Sequence, residues 1–424
     1  MRWIGLLVLC LIGILGALSY QLFSILLQPI QGELDFSDTT IGLINGLALA
    51  TIGALAGFPI GWAADRYGRR MILGGSVLVW SAFVFVMGLA ESQLVFVAGV
   101  VGVNLGDAAL IPLLYGIVAT AFAGRNRDIA NAAMVLALAV GGSAVFSVGG
   151  HLLRYFADAP IYDLAPWRAV CVSVALFGFL IVPLLLTVPA APGPLEPREA
   201  QVSSGASNYA SFGHFFRSHG ITISTTYLGI TFYYIAFFVF LFWVPALLER
   251  RFGVTTADAS IAVGTPLIVS SIAAIVLANL GLWYFKSGWQ ELAPLRMVMA
   301  GCVLALPSAI LAGLSTTADT FILAVAGINL GVIVSMSLAP ALLQNCAPDA
   351  YRSRTIALFP VLALGVRVVL PAFVPWLSDE LGGAPQTLLN VNVAMVISCL
   401  IASLIILWFS QHRYAALARE VMEG

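Results

Sequence analysis

A chain of 424 residues with 61% hydrophobic and 9% charged side chains cannot cover itself with polar groups in water. Its mean hydropathy of +1.01 assigns it to the membrane. The net charge of −1, with Lys286 as the single lysine among nineteen basic residues, excludes the polybasic surface that a nucleic-acid partner needs.

Taken in chain order, runs of about 20 apolar residues predict twelve membrane-spanning helices. The first six cover 3–28, 41–63, 71–90, 94–121, 132–152 and 169–188. The last six cover 221–247, 261–285, 297–314, 321–343, 356–377 and 391–409. The opening run is too long for a signal peptide and many equal runs follow it, so it reads as a first span rather than a removable leader. Residues 189–220, rich in Pro, Ser, Gly and Ala, read as a cytoplasmic linker. The expected organisation is therefore a six-helix bundle over 1–188, a linker over 189–220, a second bundle over 221–411 and a tail over 412–424.

Orientation follows from the basic residues. Placing both termini in the cytoplasm puts Arg2, Arg66, Arg69, Arg70, Arg125, Arg127, Arg198, Arg217, Lys286, Arg296, Arg352, Arg354, Arg413 and Arg419 inside. Only Arg154, Arg168, Arg250 and Arg251 then lie outside, fourteen against four. A repeat supports the division in two: Arg125-Asn-Arg127-Asp-Ile-Ala follows the fourth run and Arg352-Ser-Arg354-Thr-Ile-Ala the tenth. The five cysteines have no metal or redox spacing and read as small buried hydrophobes, and the four histidines form no cluster. Glycines 141, 142, 149 and 150 on the fifth run read as close-packing positions, not as a phosphate loop.

The densest polar segment is Gly61-Trp-Ala-Ala-Asp65-Arg66-Tyr-Gly68-Arg69-Arg70, between the second and third runs. Asp65 falls at a helix C-terminus, where the dipole disfavours a carboxylate, so it calls for an outside partner such as another helix N-terminus. Gly61 would let backbones approach, Gly68 would permit a left-handed turn, and Arg66, Arg69 and Arg70 would hold the loop in the cytoplasm. After the eighth run the corresponding stretch, Asn279 to Lys286, carries no clear copy.

This pattern resembles the signature loop of the major facilitator superfamily. Further residues resemble its spinster-like branch: Ser24 to Ile30, Ser37-Asp38-Thr-Thr-Ile-Gly42, Trp80-Ser81, Gly106-Asp107-Ala108 and Trp243-Val-Pro245. The resemblance implies an all-α integral membrane fold of twelve helices in two pseudo-symmetric six-helix bundles around a cavity that opens alternately to each side. For eukaryotic members it implies export of sphingosine phosphate or lysophospholipids. The chain departs from the branch where Ser19-Tyr20 stand for the usual Asp-Arg pair and Gln28 for an acid before the first-span proline. Val100 replaces an arginine and Asp107 a glutamate, while Arg367 falls in a stretch that is usually uncharged.

Two ionisable residues remain near mid-membrane, Asp107 in the fourth run and Arg367 in the eleventh. Each costs roughly 2.5–3.5 kcal/mol at a helix centre, which makes both candidates for function. Asp107 could carry a proton or serve the solute. Arg367 could bind an anionic group, and a structural Asp107–Arg367 pair stands as the alternative. Asn104, Tyr20, Gln21, Tyr115 and Tyr234 complete the candidate substrate or proton site, with the 61–70 loop as the gate. The expected activity is secondary active transport of a small amphipathic or anionic organic solute by alternating access, with protons as the candidate coupling ion. Alternatives are a uniporter or exchanger without proton coupling, and a receptor or assembly factor that does not transport. An integral membrane enzyme is disfavoured, because no span carries paired acids, a histidine cluster or a nucleophile with its base. No cofactor or metal is expected. The chain is expected to be a monomer in a bacterial inner membrane.

Overall fold

The computed structural model describes residues 2–47, 53–108, 110–161, 164–188, 212–348, 366 and 368–423, and among these residues it is helical throughout, without strands. The helices are α1 (Arg2–Leu34), α2 (Asp38–Leu47), α3 (Gly53–Tyr67), α4 (Arg69–Gly88), α5 (Gln93–Asp107), α6 (Leu110–Ala121), α7 (Arg125–Asp158) and α8 (Pro166–Ile181). Then come α9 (Phe212–Phe252), α10 (Thr256–Trp289), α11 (Ala293–Leu314), α12 (Ala318–Asn345), a run over 368–380 that we call α13, and α14 (Pro385–Glu423). Ten described helices are long and apolar enough to cross a bilayer, and Leu55–Ala64 is a shorter apolar stretch. The second expected run is shared by α2 and α3. Most of the eleventh, together with the linker, the 352–356 repeat and Arg367, lies outside the described residues.

Local chemistry explains the boundaries. Ser92 caps α5 by accepting a hydrogen bond from the Val95 amide, and Thr317 caps α12 by accepting from Thr320. Pro166 opens α8, where its missing N–H is no loss. Gly68, at φ 95, separates α3 from α4 and adopts a conformation that an L side chain would resist. Prolines 29, 59, 245, 266 and 307 sit inside helices, a frequency more typical of membrane segments than of soluble ones. Large apolar side chains such as Leu180, Trp283 and Phe409 are at least 70% exposed, which suits a surface facing lipid.

The chain forms two compact units. The first comprises Met1–Leu195, Phe242–Ile268 and Pro371–Pro385. Its packing depends on small residues: Gly99, Gly102 and Gly106 recur on one face of α5 and press on Met87, Phe83 and Trp80 of α4. A Cβ at Gly106 would lie 2.7 Å from the Trp80 amide nitrogen, and one at Gly178 of α8 would lie 2.8 Å from the Trp80 ring. Trp80 thus fills a slot lined by two glycines, a physical reason for its pairing with Ser81 in the sequence. On α7, Gly141 meets Ile14, Gly149 meets Ile25, and Gly150 meets Ala257 and Ile261, whereas Gly142 meets nothing within 4 Å. Three of those four glycines are close-packing positions.

The second unit comprises Glu196–Leu241, Val269–Leu370 and Gln386–Gly424. Its tightest seam joins α11 to α12: a Cβ at Gly301 would stand 2.5 Å from the Gly331 carbonyl oxygen, and the reverse holds for Gly331. Ser335 donates to Val298 O at 2.8 Å across this seam, and Tyr233 of α9 donates to Ser335 O at 3.3 Å. Asn329 of α12 donates to Ser270 Oγ and Ser271 Oγ of α10 at 2.7 and 2.9 Å. Of the five free cysteines four are buried and Cys10 is half-buried.

Candidate transport site and family membership

The fourth run corresponds to the span Gln93–Ala121. Its described parts are α5, to Asp107, and α6, from Leu110; Ala108 keeps right-handed helical dihedrals at φ −53 and ψ −33, and residue 109 lies outside the described residues. Pro112 in the first turn of α6 offers no N–H to the Ala108 carbonyl four residues earlier. Gly16 of α1 faces Asp107, and a Cβ built there would stand 3.5 Å from Asp107 Oδ1 and collide with Leu110. The glycine keeps space open beside a half-buried carboxyl.

The other candidates divide between the units. Asn104, one turn before Asp107, donates from Nδ2 to Val100 O at 2.8 Å, leaving its carbonyl oxygen for another partner. Gln21 of α1 is 3% exposed, and among the described residues no partner reaches its Oε1. Tyr115 of α6 is half-buried. In the second unit Tyr234 is half-buried and stacks at 4.7 Å on Phe238, while Thr231, Tyr233 and Asn329 are buried and bonded within the unit. Tyr233 and Asn329 are interhelical fastenings, whereas Thr231 donates back to Tyr227 O within α9. The side chains of Tyr20 and Asp65, like Arg367, lie outside the described residues.

In the 61–70 loop, Arg69 Nη1 donates to Gly116 O of α6 at 2.9 Å, and Arg70 Nη1 donates to Val188 O at 3.0 Å. Arg66 lies over the Trp62 and Tyr67 rings at 5.4 and 5.7 Å. Two of the three arginines thus tie the start of α4 to a carbonyl within α6 and to the carbonyl that ends the 182–187 turn. Gly61 meets no atom within 4 Å among the described residues, so the backbone approach expected of it is not made there.

Two further ionic clusters, unpaired in the sequence reading, appear at the opposite end of the first unit. Arg168 Nε and Nη2 donate to Glu33 Oε1 at 2.9 and 2.8 Å, Trp167 Nε1 donates to Glu33 Oε2 at 2.5 Å, and Arg168 Nη1 donates to Gly88 O at 3.3 Å. Arg168→Ala removes both donors to Glu33 Oε1 and is expected to cost about 2 kcal/mol, read as a lower melting temperature in detergent. The second cluster joins Arg250 of α9 to Asp38 of α2 through both carboxylate oxygens, at 2.5 and 2.8 Å. Sequence separation hid both pairs; the one available signal was that these arginines belong to the four assigned to the outer side.

Burial raises the Asp38 carboxyl, but the Arg250 hydrogen bonds and charge, with the Gln31 amide, more than offset it and hold it below the ordinary carboxylate range. A depressed value means that the pair contributes its stability above the unfolded pKa of about 3.9 and loses it as pH falls through the folded one. The difference in melting temperature between wild type and Asp38→Asn should therefore stay constant from about pH 5 to 8 and close only in strong acid.

The profile of the Major Facilitator Superfamily matches residues 9–371. The chain belongs to this superfamily. It is 24% identical to an MFS-type efflux pump of Mycolicibacterium smegmatis over 427 residues, covering 99% of this chain and 94% of that protein. Protein spinster homolog 3 of Danio rerio is 28% identical over 257 residues, 58% of this chain and 48% of that one. Among solved structures, an inward-facing, unoccupied bacterial homologue of the human lysosomal transporter spinster aligns with a TM-score of 0.75 at 21% identity, covering 100% of this chain and 98% of that one. The superfamily membership read from the sequence stands, the chain is similar to spinster proteins, and the multi-pass helical architecture agrees with the twelve-helix fold of the superfamily.

Proposed function

We propose that this superfamily member moves a small organic solute, amphipathic or anionic, across the membrane by alternating access, and that Asp107 serves the solute or a coupled proton. The observation that carries the reading is the half-buried Asp107 carboxyl inside an apolar span, facing the space that Gly16 of α1 leaves. A carboxyl within a membrane span is costly without a task. The cleared face at Gly16 and the Gln21 Oε1 that no described residue serves support polar ligation beside it. The 61–70 loop acts as the cytoplasmic gate, with both termini in the cytoplasm of a bacterial inner membrane, as the fourteen-to-four distribution of basic residues favours. The protein works as a monomer and performs no catalysis.

Relatives broaden the solute class. The Mycolicibacterium smegmatis protein is an efflux pump, and a probable L-galactonate transporter of Escherichia coli is 21% identical over 75% of this chain. Lipid-like export and carboxylate import both fit the site. A second reading, facilitated exchange without protons, is favoured by the replacement of the spinster Asp-Arg pair with Ser19-Tyr20. Comparing metabolites extracted from cells and medium, with wild type, empty vector and Asp107→Asn, separates these readings. A solute class displaced by wild type alone supports the proposal, and identical profiles for wild type and empty vector sink it.

A further inference from the structure

Between α9 and α10 the chain reverses over Phe252-Gly-Val-Thr-Thr with almost no slack. Gly253, at φ 69, donates to Glu249 O at 3.1 Å, and Val254 donates to Leu248 O at 3.3 Å, so carbonyls at the end of α9 are served inside the turn. Thr255 caps α10: its hydroxyl accepts from the Asp258 amide at 3.2 Å and donates to the Asp258 carboxylate at 2.8 Å. This turn borders a crevice of about 660 Å³ that α1, α7 and α8 complete, all within the first compact unit. Pro29, Leu153, Ala157, Pro166 and Val254 supply apolar walls. Such a size and lining suit a small organic molecule.

Three charged side chains line the crevice, and two of them cancel. Arg154 is ion-paired with Asp258 Oδ1, and Thr255 holds the other oxygen of that carboxylate. The third is Glu249, half-buried in the last turn of α9. The Thr256 hydroxyl donates to Glu249 Oε2, whereas no described residue donates to Oε1. The neighbouring arginines are engaged elsewhere, Arg250 on Asp38 and Arg251 over the Phe252 ring. A carboxylate beside a helix C-terminus adds its charge to the negative pole of the dipole, so the crevice carries one uncompensated negative site. A bare metal ion needs several oxygen ligands, which a single carboxylate among prolines and aliphatic side chains does not supply. An ammonium on an apolar body meets both features at once, with its charge on the carboxylate and its hydrocarbon on the walls.

The geometry points to a second binding site, for an organic amine, in which Glu249 Oε1 accepts from the ammonium and Pro29, Ala157 and Pro166 hold the apolar body. Thr256 fixes the carboxylate by its other oxygen and so positions the acceptor. The site lies where α7, α8 and the α9–α10 turn meet, apart from the Asp107 carboxyl, and it does not depend on the transport reading.

The test uses the full chain in phosphatidylcholine nanodiscs and two fluorescent probes. Dansylcadaverine carries a primary amine on an aromatic body, and its N-acetyl derivative is the same body without charge. Saturable binding is followed by fluorescence anisotropy, with empty nanodiscs subtracted. Wild type should bind the amine at least about tenfold more tightly than the acetylated probe, the worth of one hydrogen bond to a charged group. Glu249→Gln keeps an acceptor for Thr256 and removes the charge; it should weaken the amine at least about tenfold and leave the acetylated probe unchanged. Ala157→Trp, at an exposed position on the wall, should weaken both probes by filling the space. Glu91→Gln, which removes an exposed carboxylate outside the crevice, and Asp107→Asn should each stay within about twofold of wild type. Should Glu249→Gln fail to fold, the two probes on wild type still test the charge and Ala157→Trp the place. Absence of saturable binding, equal affinity for the two probes, unchanged binding in Glu249→Gln or Ala157→Trp, or an equal loss in Glu91→Gln or Asp107→Asn would each overturn the site. Binding needs no transported solute, so it stays readable if the metabolite comparison fails, and its failure leaves that comparison standing.

Discussion

Asp107→Asn is expected to lower the response of solute flux to an imposed pH gradient by about ten- to hundredfold, the worth of one hydrogen bond to a charged group. The measurement is counterflow and gradient-driven uptake in proteoliposomes, using the solute class found by metabolite comparison. Asparagine keeps the shape of the side chain and the packing against Gly16 and Leu110, so loss of flux with normal folding would point to charge rather than fit. Two outcomes separate the transport readings. Loss of gradient stimulation with exchange retained assigns the proton to Asp107, and loss of both assigns it to the solute. Full retention of gradient dependence removes Asp107 from coupling and favours the exchanger.

The second large effect concerns stability. Gly301→Val should lower the melting temperature by about 5–10 °C, since overpacking a tight interface costs ~3 kcal/mol or more when backbone must move. At this crossing a new Cβ meets the Gly331 carbonyl oxygen at 2.5 Å and Ser335 Oγ closer still. The Gly331 carbonyl is backbone, so no rotamer change relieves that clash. Gly75→Val, where a Cβ would meet nothing within 4 Å, is the matched control and should shift melting by less than about 2 °C. An equal loss in the two variants, followed by fluorescence during heating in detergent, would contradict the packing account of α11 and α12.

Much of the architecture was legible before any coordinates. Long apolar runs with few charges have one stable solution in a bilayer. Asp107 stood out for the same reason: a carboxyl inside an apolar run is conspicuous. The space beside it was harder to see, because Gly16 belongs to another helix and reads there as an ordinary span residue. The Arg250 and Arg168 clusters were beyond reach for a different reason. Their partners lie 212 and 135 residues away, and nothing local in the sequence distinguishes a loop arginine bound by two carboxylate oxygens from one in water. Gly61 illustrates the opposite error. A small residue at a family position invites a packing role, yet among the described residues its side is open.

Pro245 lies seven residues before the end of the 41-residue helix α9. Without an amide proton it makes no helical bond to the Leu241 carbonyl four residues earlier, and the neighbouring Phe242 carbonyl accepts from Ser24 at 2.6 Å. The tip beyond the proline, about two turns long, can therefore pivot with little loss of helical bonding. Arg250 rides on that tip. Parting from Asp38 would then require tilting a short lever, so a movement at this end of the first unit would be concentrated in a few residues instead of being spread along a membrane-length rod.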